Sequence, residues 1–181
     1  MLLNQVGIQV NNLTAMEYHI SFKNHLSALS GTIIFTILLF LAVWLIGINE
    51  GYEINLFFFF AIFYLINISL VCFLHFQYDK VNRHTSIIIE HEERRITYIT
   101  ETSKKSIYFH EIQKIEIHMM PSVYRGSNFQ LLPFEQYHYA VIYTTNEKLI
   151  ITCLAMKNLV KVFSALNLKI NRIKRIFPNI R

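Results

Sequence analysis

Two long uncharged runs fill the front of the chain, and short alternating runs fill the back. No Asp, Glu, Lys or Arg stands between Lys23 and Glu50, and none between Glu53 and Asp79. The apolar centre of the first run is 31–49. As a helix its 19 residues cover about 28 Å, close to the hydrocarbon thickness of a bilayer. The second run, 54–78, is longer than that thickness requires, so a tilt or a protruding last turn is expected. The pattern predicts a two-helix transmembrane hairpin over 30–78, joined by Glu50, Gly51, Tyr52 and Glu53. A cleaved signal peptide does not fit. The first run starts late, has no basic segment before it and is followed at once by a second run.

After Tyr78 the period changes to two. Six short runs read as strands: 87–90, 96–101, 106–110, 114–119, 139–144 and 148–153. In the fourth, Ile115, Ile117 and Met119 share one face, and Lys114, Glu116 and His118 the other. Thr145, Asn146 and Glu147 form a hairpin signal between the last two. A helix over 156–166 follows, with Leu159, Phe163 and Leu166 on one face. Before the first apolar run, 17–22 also alternates and could add an edge strand, within a front segment of 1–29. Closely spaced strands with short links predict an antiparallel β-barrel or curled sheet over 79–168, closed by the one helix. The expected fold is therefore α+β, a membrane hairpin followed by that β domain, with a basic tail over 169–181.

Charge sharpens the division. Residues 1–78 carry −2 and residues 79–181 carry +7, against +5 for the whole chain. Lys80, Arg83 and His84 follow the second run, Lys23 and His25 precede the first, and the joining loop has no basic residue. The bias of Lys and Arg predicts a multi-pass membrane protein with both termini and the β domain in the cytoplasm. Charged residues are 16% of the chain, against about 25% in an ordinary soluble domain.

Two membrane spans followed by six short strands and one helix resemble the bacterial pleckstrin-homology-like (PH-like) membrane proteins. The residues that carry the resemblance are 106–118 (SIYFHEIQKIEIH), 131–143 (LLPFEQYHYAVIY) and 148–154 (KLIITCL). They mark packing and turns rather than chemistry. The resemblance implies a PH-like β domain and a membrane location, and no reaction. Phosphoinositide binding is not carried over, because Glu92 and Glu93 dilute the Arg94 and Arg95 turn.

Chemistry is sparse. His110–Glu111 and His91–Glu92 begin like the HExxH zinc motif, but Lys114 and Arg95 stand where its second His should be. The eight His are scattered, and only His110 and His118 could face one another across a hairpin. Cys153 has no CxxC partner, and Asp79 is the one Asp in the chain. No enzyme, metal or cofactor is expected. Two segments are candidates for binding. The long connection 121–136 carries Tyr124, Arg125, Phe129, Leu132 and Phe134. It either folds back over the β domain or contacts lipid or a protein partner. The tail carries Lys169, Arg172, Lys174 and Arg175. From Lys157 onward there are seven basic residues and no acidic one. Ile170, Ile173 and Phe177 recur at helical spacing, which reads as a membrane-surface element seeking anionic headgroups. A last strand or a solvated end is the alternative. Nucleic acid is not expected, since aromatics do not interleave with these charges. The leading expectation is a non-enzymatic, membrane-anchored interaction or sensing module. A small oligomeric channel or transporter accessory subunit, a homo-oligomer, and an immunity-type protein are the alternatives.

Overall fold

The computed structural model describes residues 15–50, 54–126 and 132–180. Strand β1 (Ala15–His19) leads into two helices of 29 residues each, α1 (Phe22–Glu50) and α2 (Ile54–Asn82). Strands β2 (Thr85–Glu90), β3 (Arg95–Thr100) and β4 (Lys104–Tyr108) follow. A 3-10 turn over Phe109–Glu111 leads to β5 (Ile112–Met119), and one helical turn, α3, covers Pro121–Tyr124. A second 3-10 turn (Pro133–Gln136) precedes β6 (His138–Thr144) and β7 (Lys148–Thr152). Helix α4 (Leu159–Ala165) and strand β8 (Ile170–Lys174) end the chain.

Both long helices are apolar and long enough to cross a bilayer. Many of their large side chains, among them Ile37, Phe40 and Trp44 on α1 and Phe59, Ile62 and Ile66 on α2, are exposed. Buried Asn67 donates to the Phe63 carbonyl of its own helix at 2.8 Å. That gives the amide near the middle of the second helix a partner.

β1 pairs antiparallel with β2, Tyr18 opposite Ile87. The strand before the hairpin is thereby bound to the strand after it, and the hairpin starts and finishes at the β domain.

The expected barrel closed by one helix does not form. The described strands make two four-stranded sheets, ordered β1-β2-β3-β4 and β7-β6-β5-β8. The reason is edge occupancy. β5 bonds to β6 on one side and to β8, in parallel, on the other, so no edge is left for β4. The 3-10 turn after β4 carries the chain from one sheet to the next.

Between the sheets lies an aliphatic core of Ile87, Ile89, Ile96, Ile107, Ile115, Ile117, Ile142 and Ile151, with Leu159 and Phe163 of α4 beneath. Helix α4 stops at Asn167, whose φ of 56° is left-handed. Asn167 and Leu168 donate back to the carbonyls of Ser164 and Phe163, the hydrogen-bond pattern of a helix closed by a left-handed residue. The chain turns there and lays β8 beside β5.

Candidate functional site

The period of two gives the β5–β7 sheet a second face. Tyr139, Val141 and Ile150 point away from the aliphatic core, into a second cluster with Val71, Leu74 and Tyr78 of α2. The base of the hairpin is therefore docked on the sheet. Asn82, the last residue of α2, seals the contact. Its fully buried amide donates to the Ile150 carbonyl at 3.1 Å and accepts from the Thr152 N–H at 2.9 Å, pairing with the open edge of β7. Helix α1 docks as well. Asn24 donates to the Leu154 carbonyl at 2.7 Å, Ser27 accepts from Lys157 at 2.8 Å, and Gln136 bonds the Ala28 carbonyl. A cleft of about 360 Å³ lies among these groups, lined by Lys23, Lys157, Gln136 and His138.

The tail completes the base. Lys169, Arg172, Lys174 and Arg175 are exposed, and Arg172 and Lys174 lie on a strand rather than on an amphipathic helix. The Lys and Arg ion pairs among the described residues involve Arg83, Arg95, Lys105 and Lys114, none of them in the tail. Past β8 the chain runs along α2. Phe177 stacks on Phe73, centroids 6.0 Å apart, and meets Phe134 at 6.2 Å. Tyr78 donates to the Pro178 carbonyl at 2.7 Å, and Gln77 exchanges two bonds with the Ile180 backbone at 2.8 and 2.9 Å. Ile176 beside them is 85% exposed.

The two binding segments expected from the sequence meet here. Lys174 lies over the Tyr124 ring, 4.5 Å from its centroid. Arg125 is exposed next to Tyr124. Phe134 is buried in the second cluster, and Leu132 packs against it half-buried. Phe129 lies outside the described residues.

The histidines do not gather around a metal. His110 stacks on Tyr108 and His118 on Tyr139, so the pair that seemed able to meet is kept apart. His118 is buried rather than solvated. Burial and then the Arg175 charge push its pKa down, and its Nδ1 accepts from Arg175 Nε at 3.3 Å. Beside it the Glu116 carboxyl is held below its ordinary range by Lys114 and the Tyr143 hydroxyl, against the pull of burial. No group of three or more metal-ligating side chains occurs among the described residues. Burial pushes the Cys153 thiol up to about 12.

A polar chain with no signature in the sequence runs through the hairpin base. His25 Nδ1 and His75 Nε2 are 2.9 Å apart, and His75 Nδ1 is 2.9 Å from the Tyr137 hydroxyl. His25 Nε2 faces Asp79 at 3.7 Å, and Arg83 holds the other oxygen of that carboxylate. Residues 50 apart in sequence carry no joint signal until the helices pair.

Compared with known proteins, residues 17–160 match the model of a family described as PH domain. The match takes in most of β1, the hairpin and strands β2 to β7, and stops before β8. No curated protein and no solved structure matches the chain.

Proposed function

This chain belongs to the PH domain family, and from that premise we propose that it is a membrane-anchored binding module, not an enzyme. The hairpin crosses the inner membrane with both termini in the cytoplasm, and the tail surface rests on the anionic leaflet. A helix of 29 residues is about 43 Å long, against about 30 Å of hydrocarbon. The first two turns of α1 and the last two of α2, those docked on the β domain, then lie at headgroup depth. The observation that carries the reading is the stack of Phe177 on Phe73. It sets exposed Ile176 and its neighbours Lys174 and Arg175 where the apolar part of the hairpin ends. Each such cation is worth about 1 kcal/mol near an anionic surface, and an exposed Ile beside them suits the acyl boundary. The raised Cys153 pKa removes the thiol from contention as a nucleophile.

The test uses Ile176→Trp in a Trp44→Phe background, the full chain reconstituted in nanodiscs with brominated lipids. Bromine should quench the indole more strongly in phosphatidylglycerol mixtures than in phosphatidylcholine alone. Lys174→Gln with Arg175→Gln should reduce the difference. An unquenched indole in both lipids refutes the leaflet contact. A reporter fused after Arg181 that is active only outside the cytoplasm refutes the topology.

A further inference from the structure

Two imidazoles that share one short N···N contact form a device with a proton limit. In the neutral pair all bonds run one way. The Tyr137 hydroxyl donates to His75 Nδ1, His75 Nε2–H donates to His25 Nδ1, and His25 Nε2–H points at Asp79. One added proton can be absorbed by reversing the chain. His25 then carries both protons beside Asp79, His75 accepts at Nε2 and donates from Nδ1 to the Tyr137 oxygen. A second proton has no place. It would set two N–H groups against each other at 2.9 Å, with two like charges in contact.

We propose that the His25–His75 pair is a pH-sensitive clasp, which seats the β domain on the hairpin while the pair holds at most one proton and releases the Tyr137 strap when it takes two.

The geometry meets what such a clasp needs. The three side chains come from three separate pieces: α1, α2 and the strap between the 3-10 turn and β6. The His25 side chain is 30% exposed, so protons can reach the pair from solvent. Burial holds the Tyr137 phenol well above its ordinary range, so it stays protonated as a partner throughout. The titratable groups facing the relay are few. On α2 they are Asp79 with its Arg83, and Tyr78, whose ring meets Tyr137 edge-on at 5.3 Å. The Cys72 and Cys153 thiols lie near Tyr137. His138, next in sequence, is bonded through Nδ1 to the Gln136 carbonyl at 2.8 Å, and burial lowers its pKa. Lys23 and Lys157 line the neighbouring cleft. Among the described residues Asp79 is the carboxylate that faces the pair, and Arg83 already engages it.

The sign follows. The unfolded chain takes both protons freely as the pH falls past about 6.5, and the folded relay resists the second. Protons are then bound more by the released state, so seating is retained at neutral pH and lost on acidification.

The test is hydrogen exchange of the full chain in uncharged detergent micelles, where no anionic leaflet is present, so the outcome is separate from that of the leaflet contact. Between pH 7.5 and 5, after correction for intrinsic rates, protection of 132–138 should fall about tenfold or more, a factor equal to one pKa unit of linkage. β2 and β3 should be unchanged. His25→Asn and His75→Gln should each remove the pH dependence. Unchanged protection in the wild type refutes the clasp. A loss that persists in both variants refutes it too, and passes the effect to His138. If the variants fail to fold, imidazole 15N shifts of the wild type decide. Two widely separated titration steps support the clasp, and two independent ordinary ones overturn it.

Discussion

The β5–β7 sheet has two faces built on different principles. Its inner face is almost wholly aliphatic, with Ile115, Ile117, Ala140, Ile142, Leu149 and Ile151 against the other sheet. Its outer face is aromatic and polar, with Tyr139, Val141 and Tyr143 against a helix that carries Tyr78 and Asn82. The inner face is held by area removed from water, which is non-directional. The outer face is held by placed hydrogen bonds, each modest in net worth but costly to leave half made. One face makes the domain fold. The other decides where it sits.

The largest expected effect falls on the inner face. Ile142→Ala should cost about 2–5 kcal/mol, seen as a lowered thermal midpoint of the full chain in detergent. A loss no greater than that from Val141→Ala, across the same strand, would erase the distinction between the faces. Next comes Asn82→Ala, which leaves the Thr152 N–H buried without its acceptor. It should cost about 1–3 kcal/mol and raise exchange at the Thr152 amide more than at Ile142. Tyr78→Phe removes only the bond to Pro178. It should cost about 1 kcal/mol and loosen 177–180 without touching the strands. The smallest is an acid effect on the outer face. The folded Glu116 carboxyl titrates below its unfolded value, so its contribution is present above that value and fades as the pH falls through the folded one. Glu116→Gln should flatten the acid limb of the stability curve, and an unchanged limb would count Glu116 out.

The sequence was most legible where one physical effect dominates. The charge gap from Lys23 to Glu50 marks α1, and the alternation at 114–119 marks β5, because burial of one stripe or one face leaves a period in the residues. It was less legible where effects compete. Asp79, Lys80 and Arg83 look like the end of the second helix, yet α2 runs on to Asn82 because the sheet offers that amide a backbone edge. Six short strands suggest a barrel or curled sheet, and nothing local shows that β8 will take the edge of β5. Ile170, Ile173 and Phe177 keep a helical spacing, but left-handed Asn167 and the free edge of β5 outweigh it. In the candidate surface, Tyr124 and Lys174 were each visible alone, and only the fold sets one over the other. The histidine relay left no trace at all, since its members belong to distant segments.

The pairing of β1 with β2 has a consequence for how the protein is made. Residues 20–84 separate the two strands, so β1 leaves the ribosome long before its partner exists. It waits with both edges open until both long helices and β2 have been made. A nascent chain whose second helix failed to come back would leave β2 without its neighbour, an unguarded edge open to chance association. Pairing of β1 with β2 therefore requires both ends of the hairpin to lie on one side of any bilayer it enters.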